Sequence, residues 1–110
     1  MKNTSLILGV ARKTLEIEAT TLRELAGTLD ETFVDCVMAI YAGTGRVVVT
    51  GIGKTALVAK KIVATLNSTG TPSLFLHAAD AIHGDIGMVQ PEDIVLCLSK
   101  SGETAEVKML

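Results

Sequence analysis

Aromatic residues are scarce in this chain of 110 residues: two Phe, one Tyr and no Trp, 3% in all. So few rings leave little for nucleic-acid bases to stack on. An excess of charge is missing too, since 10 Lys and Arg stand against 12 Asp and Glu, for a formal net charge of -2. Without a basic surface there is no large counterion release to drive binding, and nucleic acid is not an expected partner. Apolar runs are short, and none approaches the roughly 20 residues that span a bilayer, so no membrane association is expected. Residues 1–12 mix Lys2, Asn3, Thr4 and Ser5 with a brief apolar stretch, and Lys13 and Glu16 follow closely. That is a poor secretory leader, and the cytoplasm is the expected compartment. Cysteine is limited to Cys36 and Cys97, far apart and without a C-x-x-C spacing or a neighbouring His. They are expected to be reduced core thiols, with no metal or redox role.

What remains is a composition suited to a packed interior, with 48% hydrophobic and 20% charged residues and no long polar tract. One small core is expected. Leu8, Ala11, Leu15, Ala19, Leu22 and Leu25 recur at helical spacing among Lys13, Glu16, Glu18 and Arg23. This predicts an amphipathic helix ending near Gly27. Thr28 followed by Glu31 has the form of a capping box, and Phe33, Val34, Val37, Ile40 and Tyr41 give a second helix that stops at Gly43.

From Gly45 the pattern alternates. Residues 46–52 read as a strand, 55–68 as a helix, 73–77 as a strand and 94–98 as another strand, with a short helix around residues 80–84 and loop beyond it. Near-continuous Val, Ile and Leu runs are the mark of strands buried on both faces, and helices between them imply parallel crossovers. The expected fold is α/β, a doubly wound parallel sheet of flavodoxin-like order preceded by two N-terminal helices. Residues 1–44 form the helical part and residues 45–110 the first part of the sheet domain. Such a sheet rarely has three strands only, so the domain is expected to be truncated at its C-terminus.

Ligands of open parallel sheets bind outside the carboxyl ends of the strands. Two loops fall there. Ser99-Lys100-Ser101-Gly102-Glu103-Thr104 follows an apolar strand and opens a helix-favouring segment. Unpaired amides of a first helical turn, with hydroxyls beside them, suit a phosphate. Thr50-Gly51-Ile52-Gly53-Lys54-Thr55 follows the first strand, with Lys54 at the start of the next helix. It is not a P-loop, because the position that needs the first glycine holds Val48. Gly51, Gly53 and Ala56 do fit the dinucleotide spacing, but Leu74, Phe75, Leu76 and His77 occupy the stretch where the ribose-binding acid is needed.

Taken together, Gly51-Ile52-Gly53-Lys54-Thr55, the turn Ser68-Thr69-Gly70-Thr71-Pro72, His83-Gly84-Asp85 and Ser99-x-Ser101-Gly102-Glu103-Thr104 resemble, in order and spacing, the sugar isomerase (SIS) domain. Within it they are most similar to the D-arabinose 5-phosphate isomerase branch. The resemblance implies interconversion of D-ribulose 5-phosphate and D-arabinose 5-phosphate, leading to 3-deoxy-D-manno-octulosonate for lipopolysaccharide or capsule. It also implies a homo-oligomer, tetrameric in intact members. The chemistry is proton transfer between adjacent carbons and calls for no cofactor and no metal.

The same resemblance assigns the site. Lys54 matches the family's essential lysine and Glu106 a catalytic glutamate, while His83 matches a histidine suited to ring opening or proton relay. Ser99, Ser101 and Thr104 of the hydroxyl turn are expected to hold the phosphate, joined by Gly53 and Thr55. His77 and Asp85 read as structural. Lys100 stands where members often carry asparagine, and Asp80 replaces a longer acid. A further glutamate and histidine come from family sequence beyond the equivalent of Leu110, and many members add paired CBS modules. The alternative is a non-catalytic phosphosugar sensor, which need not keep Lys54 with Glu106.

Overall fold

A computed structural model describes residues 2–101. The elements run α1 (Thr4–Thr28), α2 (Glu31–Ala42), β1 (Val47–Gly51), α3 (Lys54–Ser68), β2 (Ser73–His77), α4 (Ala78–Ile82), a 3-10 turn (Asp85–Met88) and β3 (Ile94–Cys97). Two compact units divide the chain, Met1–Val37 and Met38–Leu110.

In the first unit α1 starts at Asn3, whose side-chain oxygen accepts the Leu6 amide at 3.0 Å. The expected capping box is replaced by a different arrangement. Thr28 belongs to α1 and donates its hydroxyl to the Leu25 carbonyl at 2.7 Å. Asp30 does the capping instead: its carboxylate accepts the Thr32 amide at 3.0 Å and the Thr32 hydroxyl. Those bonds, the hydroxyl's first, hold the Asp30 carboxyl below its ordinary value. Asp30 wins because it directly precedes the helix, within reach of the second helical amide. No residue of α1 or α2 is buried, so Cys36 is exposed on α2 rather than a core thiol.

The second unit is built on a parallel sheet of order β2-β1-β3, the order expected. Central β1 is buried along its whole length. Val47 and Val49 face α3, packing on Ala59 with Ile62, Val63, Leu66 and Phe75 around them. Val48 faces the other way, onto Leu76 and Ala81 of α4, with Leu74 and Val89 beside them. Helices therefore cover both faces, which defines the doubly wound arrangement. Ala56 and Ala59, small and buried, let α3 lie close to the sheet.

β2 has the bounds expected, β1 and β3 are slightly shorter, α3 begins one residue earlier, at Lys54, and the short helix expected around residues 80–84 lies two residues earlier, at Ala78–Ile82. The 3-10 turn occupies a stretch expected as loop. Outer strand β3 also departs from burial on both faces. No strand pairs with its far side among the described residues, so Val95, Leu96 and Cys97 are exposed, and Cys97 is not a core thiol.

At the amino end of the sheet, Asp93 binds β1 to β3. Its carboxylate accepts the Arg46 amide at 2.8 Å, the Arg46 guanidinium at 3.0 Å and the Gln90 amide at 2.8 Å. The same guanidinium donates to the Met88 carbonyl at 2.9 Å. Gly45 lies against this turn, where a Cβ would collide with the Glu92 carbonyl.

Candidate functional site

Parallel strands end together. Gly51 is in register with His77, Thr50 with Cys97, and the ladder continues as the Leu98 amide donates to the Thr50 carbonyl at 2.9 Å. The segments after β1, β2 and β3 thus leave at one edge of the sheet, at the order reversal where open α/β sheets take ligands.

The β1 loop is shaped by its glycines and by Thr55. Gly53 has φ 61 and ψ -131, a conformation that L side chains rarely adopt. A Cβ at Gly51 would meet Thr55 Oγ1 at 2.9 Å. That hydroxyl donates to the Ile52 carbonyl at 2.6 Å and accepts the Ile52 amide at 3.1 Å, closing the turn on itself. With its proton engaged, Thr55 has its backbone amide to offer an anion, as part of the first turn of α3. Lys54 is the first residue of that turn, exposed and without an ion-pair partner among the described residues.

Ser99 and Ser101 follow β3 at the same edge, half-buried and exposed respectively. The structure therefore brings Gly53, Lys54, Thr55, Ser99 and Ser101 to one end of the sheet. Thr104 and Glu106 lie outside the described residues, as do Gly102 and Glu103.

His83 is carried differently. It caps the C-terminus of α4, its amide donating to the Asp80 carbonyl at 3.1 Å, and it is exposed. No hydrogen bond or ion pair joins its ring to Lys54 among the described residues. Gly84, at φ 126, then turns the chain into the 3-10 segment headed by Asp85. His77 stands at the sheet edge, its Nδ1 accepting the Ala79 amide at 3.2 Å. Among the described residues no three His, Cys, Asp or Glu side chains gather in a way that could hold a metal ion. None of the helices there is long and apolar enough to cross a membrane.

Two features escaped the reading of the sequence. The Arg46–Asp93 pair joins residues 47 positions apart, and only Pro91-Glu92-Asp93, a turn-forming run, hints at it. Thr50, inside an apolar strand, is fully enclosed and its hydroxyl has no hydrogen-bond partner among the described residues.

A parallel sheet clad by helices on both faces, with glycine, lysine and serine loops at its carboxyl edge, places the chain among the doubly wound α/β proteins, a class that takes ligands at that edge. Residues 40–110 match the SIS domain, and the chain belongs to that family. It is 49% identical over 100 residues to the arabinose 5-phosphate isomerase KdsD of Pseudomonas aeruginosa, covering 91% of this chain and 31% of that protein. It is 42% identical over 104 residues to the arabinose 5-phosphate isomerase GutQ of Escherichia coli K12, covering 94% of this chain and 32% of the relative. Among solved structures, c3406 of E. coli CFT073 in complex with arabinose 5-phosphate superposes with a TM-score of 0.90 at 38% identity, over 99% of this chain and 57% of that one. The chain thus spans about a third of the length of these curated relatives.

Proposed function

We propose that the protein carrying this chain is an aldose–ketose isomerase that interconverts D-arabinose 5-phosphate and D-ribulose 5-phosphate. The observation that carries this reading is the convergence of Lys54 and the Ser99–Ser101 turn at one sheet edge, in a chain 42–49% identical to arabinose 5-phosphate isomerases. The phosphate sits against the serine turn, with Thr104 and the amides around Gly53 and Thr55 adding donors. Starting from the aldose, Glu106 takes the proton from C2 as the C1 carbonyl electrons shift to O1, which picks up a proton as the C2 hydroxyl gives up its own. The electrons on O2 then collapse to form the C2 carbonyl as Glu106 returns its proton to C1. Lys54, a fixed ammonium at the start of α3, stabilises the charge that develops on the enediolate oxygen. His83 assists ring opening of the cyclic sugar. The working protein is a homo-oligomer in the cytoplasm, which covers the apolar residues left exposed on α1, and its product enters 3-deoxy-D-manno-octulosonate synthesis.

The test is turnover of arabinose 5-phosphate by the protein carrying this chain, with and without Lys54→Ala. Losing a preorganised charge at a developing oxyanion lowers the rate by about 10²–10³. An exposed lysine at a helix start contributes little packing, so the thermal midpoint is expected to stay within a few degrees of wild type. Binding without turnover in the unsubstituted protein would establish a phosphosugar sensor instead, and near-normal turnover in the variant would remove Lys54 from the chemistry.

A further inference from the structure

We infer that His77 is a positioning residue for His83, acting through the N-cap of α4; its relevance to catalysis rests on the isomerase reading above. The helix between the two histidines has five residues, Ala78–Ile82. One turn of helix cannot sustain itself, because fixing the first turn yields too few hydrogen bonds to offset the lost backbone freedom. Its ends must supply what its length does not. At the start, His77 Nδ1 accepts the Ala79 amide at 3.2 Å. At the finish, the His83 amide donates to Asp80 at 3.1 Å, so the residue that carries the candidate proton relay is itself the C-cap. Between them Ala78 and Ala81 are buried, Ala81 against Val48 and Leu76.

The capping ring has a second contact. Phe75, two residues back on β2, meets it edge-on, with ring centroids 6.2 Å apart and planes at 81°. Lys60 of α3 places its ammonium 5.2 Å from the Phe75 ring. A chain of contacts therefore runs from α3 through Phe75 to the His77 ring, and through α4 to His83. To accept a hydrogen bond, Nδ1 must be bare, so the neutral ring carries its proton on Nε2.

This arrangement makes a prediction specific to one ring nitrogen. Nδ1 lies as many bonds from Cα as the side-chain oxygen of Asn, the favoured N-cap residue, whereas Nε2 is matched by the longer Gln. The protein carrying this chain is examined by NMR with ¹⁵N labelling, unsubstituted and as His77→Asn, His77→Gln and His77→Ala. In the unsubstituted chain a long-range ¹⁵N–¹H spectrum should show the Nε2–H tautomer. In His77→Ala and His77→Gln the Ala79 amide should exchange about fivefold faster, the scale of losing an N-cap, and the His83 ring signals should move. In His77→Asn both should remain as in wild type.

An Nδ1–H tautomer, or a His83 ring that does not move in His77→Ala, overturns the inference. Rescue by Gln but not Asn overturns it as well, since Nε2 would then be the working atom. Should His77→Ala and His77→Gln fail to fold, His77→Asn decides: faster Ala79 exchange or a moved His83 ring in that variant overturns the inference as well. None of these readouts needs substrate, so failure of the isomerase reading shows separately, as no conversion of arabinose 5-phosphate.

Discussion

Ser101 and Thr50 illustrate opposite fates of a hydroxyl at the end of a parallel strand. Ser101 follows β3 at the carboxyl edge of the sheet and is exposed; the proposed function has its hydroxyl donate to the sugar phosphate. Replacing Ser101 and Thr104 together by Ala is expected to weaken arabinose 5-phosphate binding by about 1–3 kcal/mol, the scale of hydrogen bonds to a charged group. Calorimetry on a variant that still folds checks this, and unchanged affinity would move the phosphate elsewhere. Thr50 lies one residue before Gly51, fully buried, with a hydroxyl that meets no partner among the described residues. An enclosed, unpaired hydroxyl carries a desolvation cost with nothing to offset it. Thr50→Val keeps the branched shape and removes that cost, so it is expected to raise stability by about 1–2 kcal/mol in urea unfolding. A destabilised variant would show that the hydroxyl has a partner in solution.

Among the elements, the link between β1 and β3 depends most on a single carboxylate. Asp93 is held down to about 2 from its ordinary value of 3.8, chiefly by the Arg46 side chain and then by the Gln90 and Arg46 amides. A folded-state value below the unfolded one means that the stabilisation is fully present above about pH 4 and is lost as the pH falls toward 2. Asp93→Asn removes the charge and replaces one acceptor oxygen with a donor, so it is expected to lower the urea midpoint at pH 7. The gap to wild type should close between pH 4 and pH 2, and a gap independent of pH would separate Asp93 from acid unfolding. This clamp also marks where sequence reading stops. The strands, α3 and the sheet order are legible because Val, Ile and Leu runs alternating with a helical period record burial locally. The glycine-lysine and serine loops are legible because their neighbours in sequence are their neighbours in space. Arg46–Asp93 pairs residues brought together only by the fold, and the His77 cap turns on which ring nitrogen faces an amide. The exposure of the two cysteines has a related cause. A cysteine in an apolar run predicts burial only if something covers that run, and the run itself does not say what does.

The whole chain presents two kinds of uncovered apolar surface. On α1, Leu15 and Leu22 are about two-thirds exposed, at 65% and 66%. On β3, Val95 and Leu96 are exposed beside backbone groups that no further strand pairs among the described residues. Both invite association, but by different routes: a helical stripe is buried by packing, whereas an open strand edge recruits another strand through main-chain hydrogen bonds. The chain of 110 residues is therefore expected to grow in apparent mass as its concentration rises. The two routes separate by substitution. Leu22→Lys places a charge in the helical stripe and should shift the reversible part of the association, without affecting material that fails to redissolve on dilution. Leu96→Lys guards the strand edge, as lysines do on natural edge strands, and should reduce the irreversible part instead. Light scattering on a dilution series reads both, and a monomer from micromolar to several hundred micromolar would show that these surfaces are covered within the single chain. If Leu22→Lys alone abolished both kinds of association, the helical stripe would be the seed, with the strand edge engaged only after the chains have met.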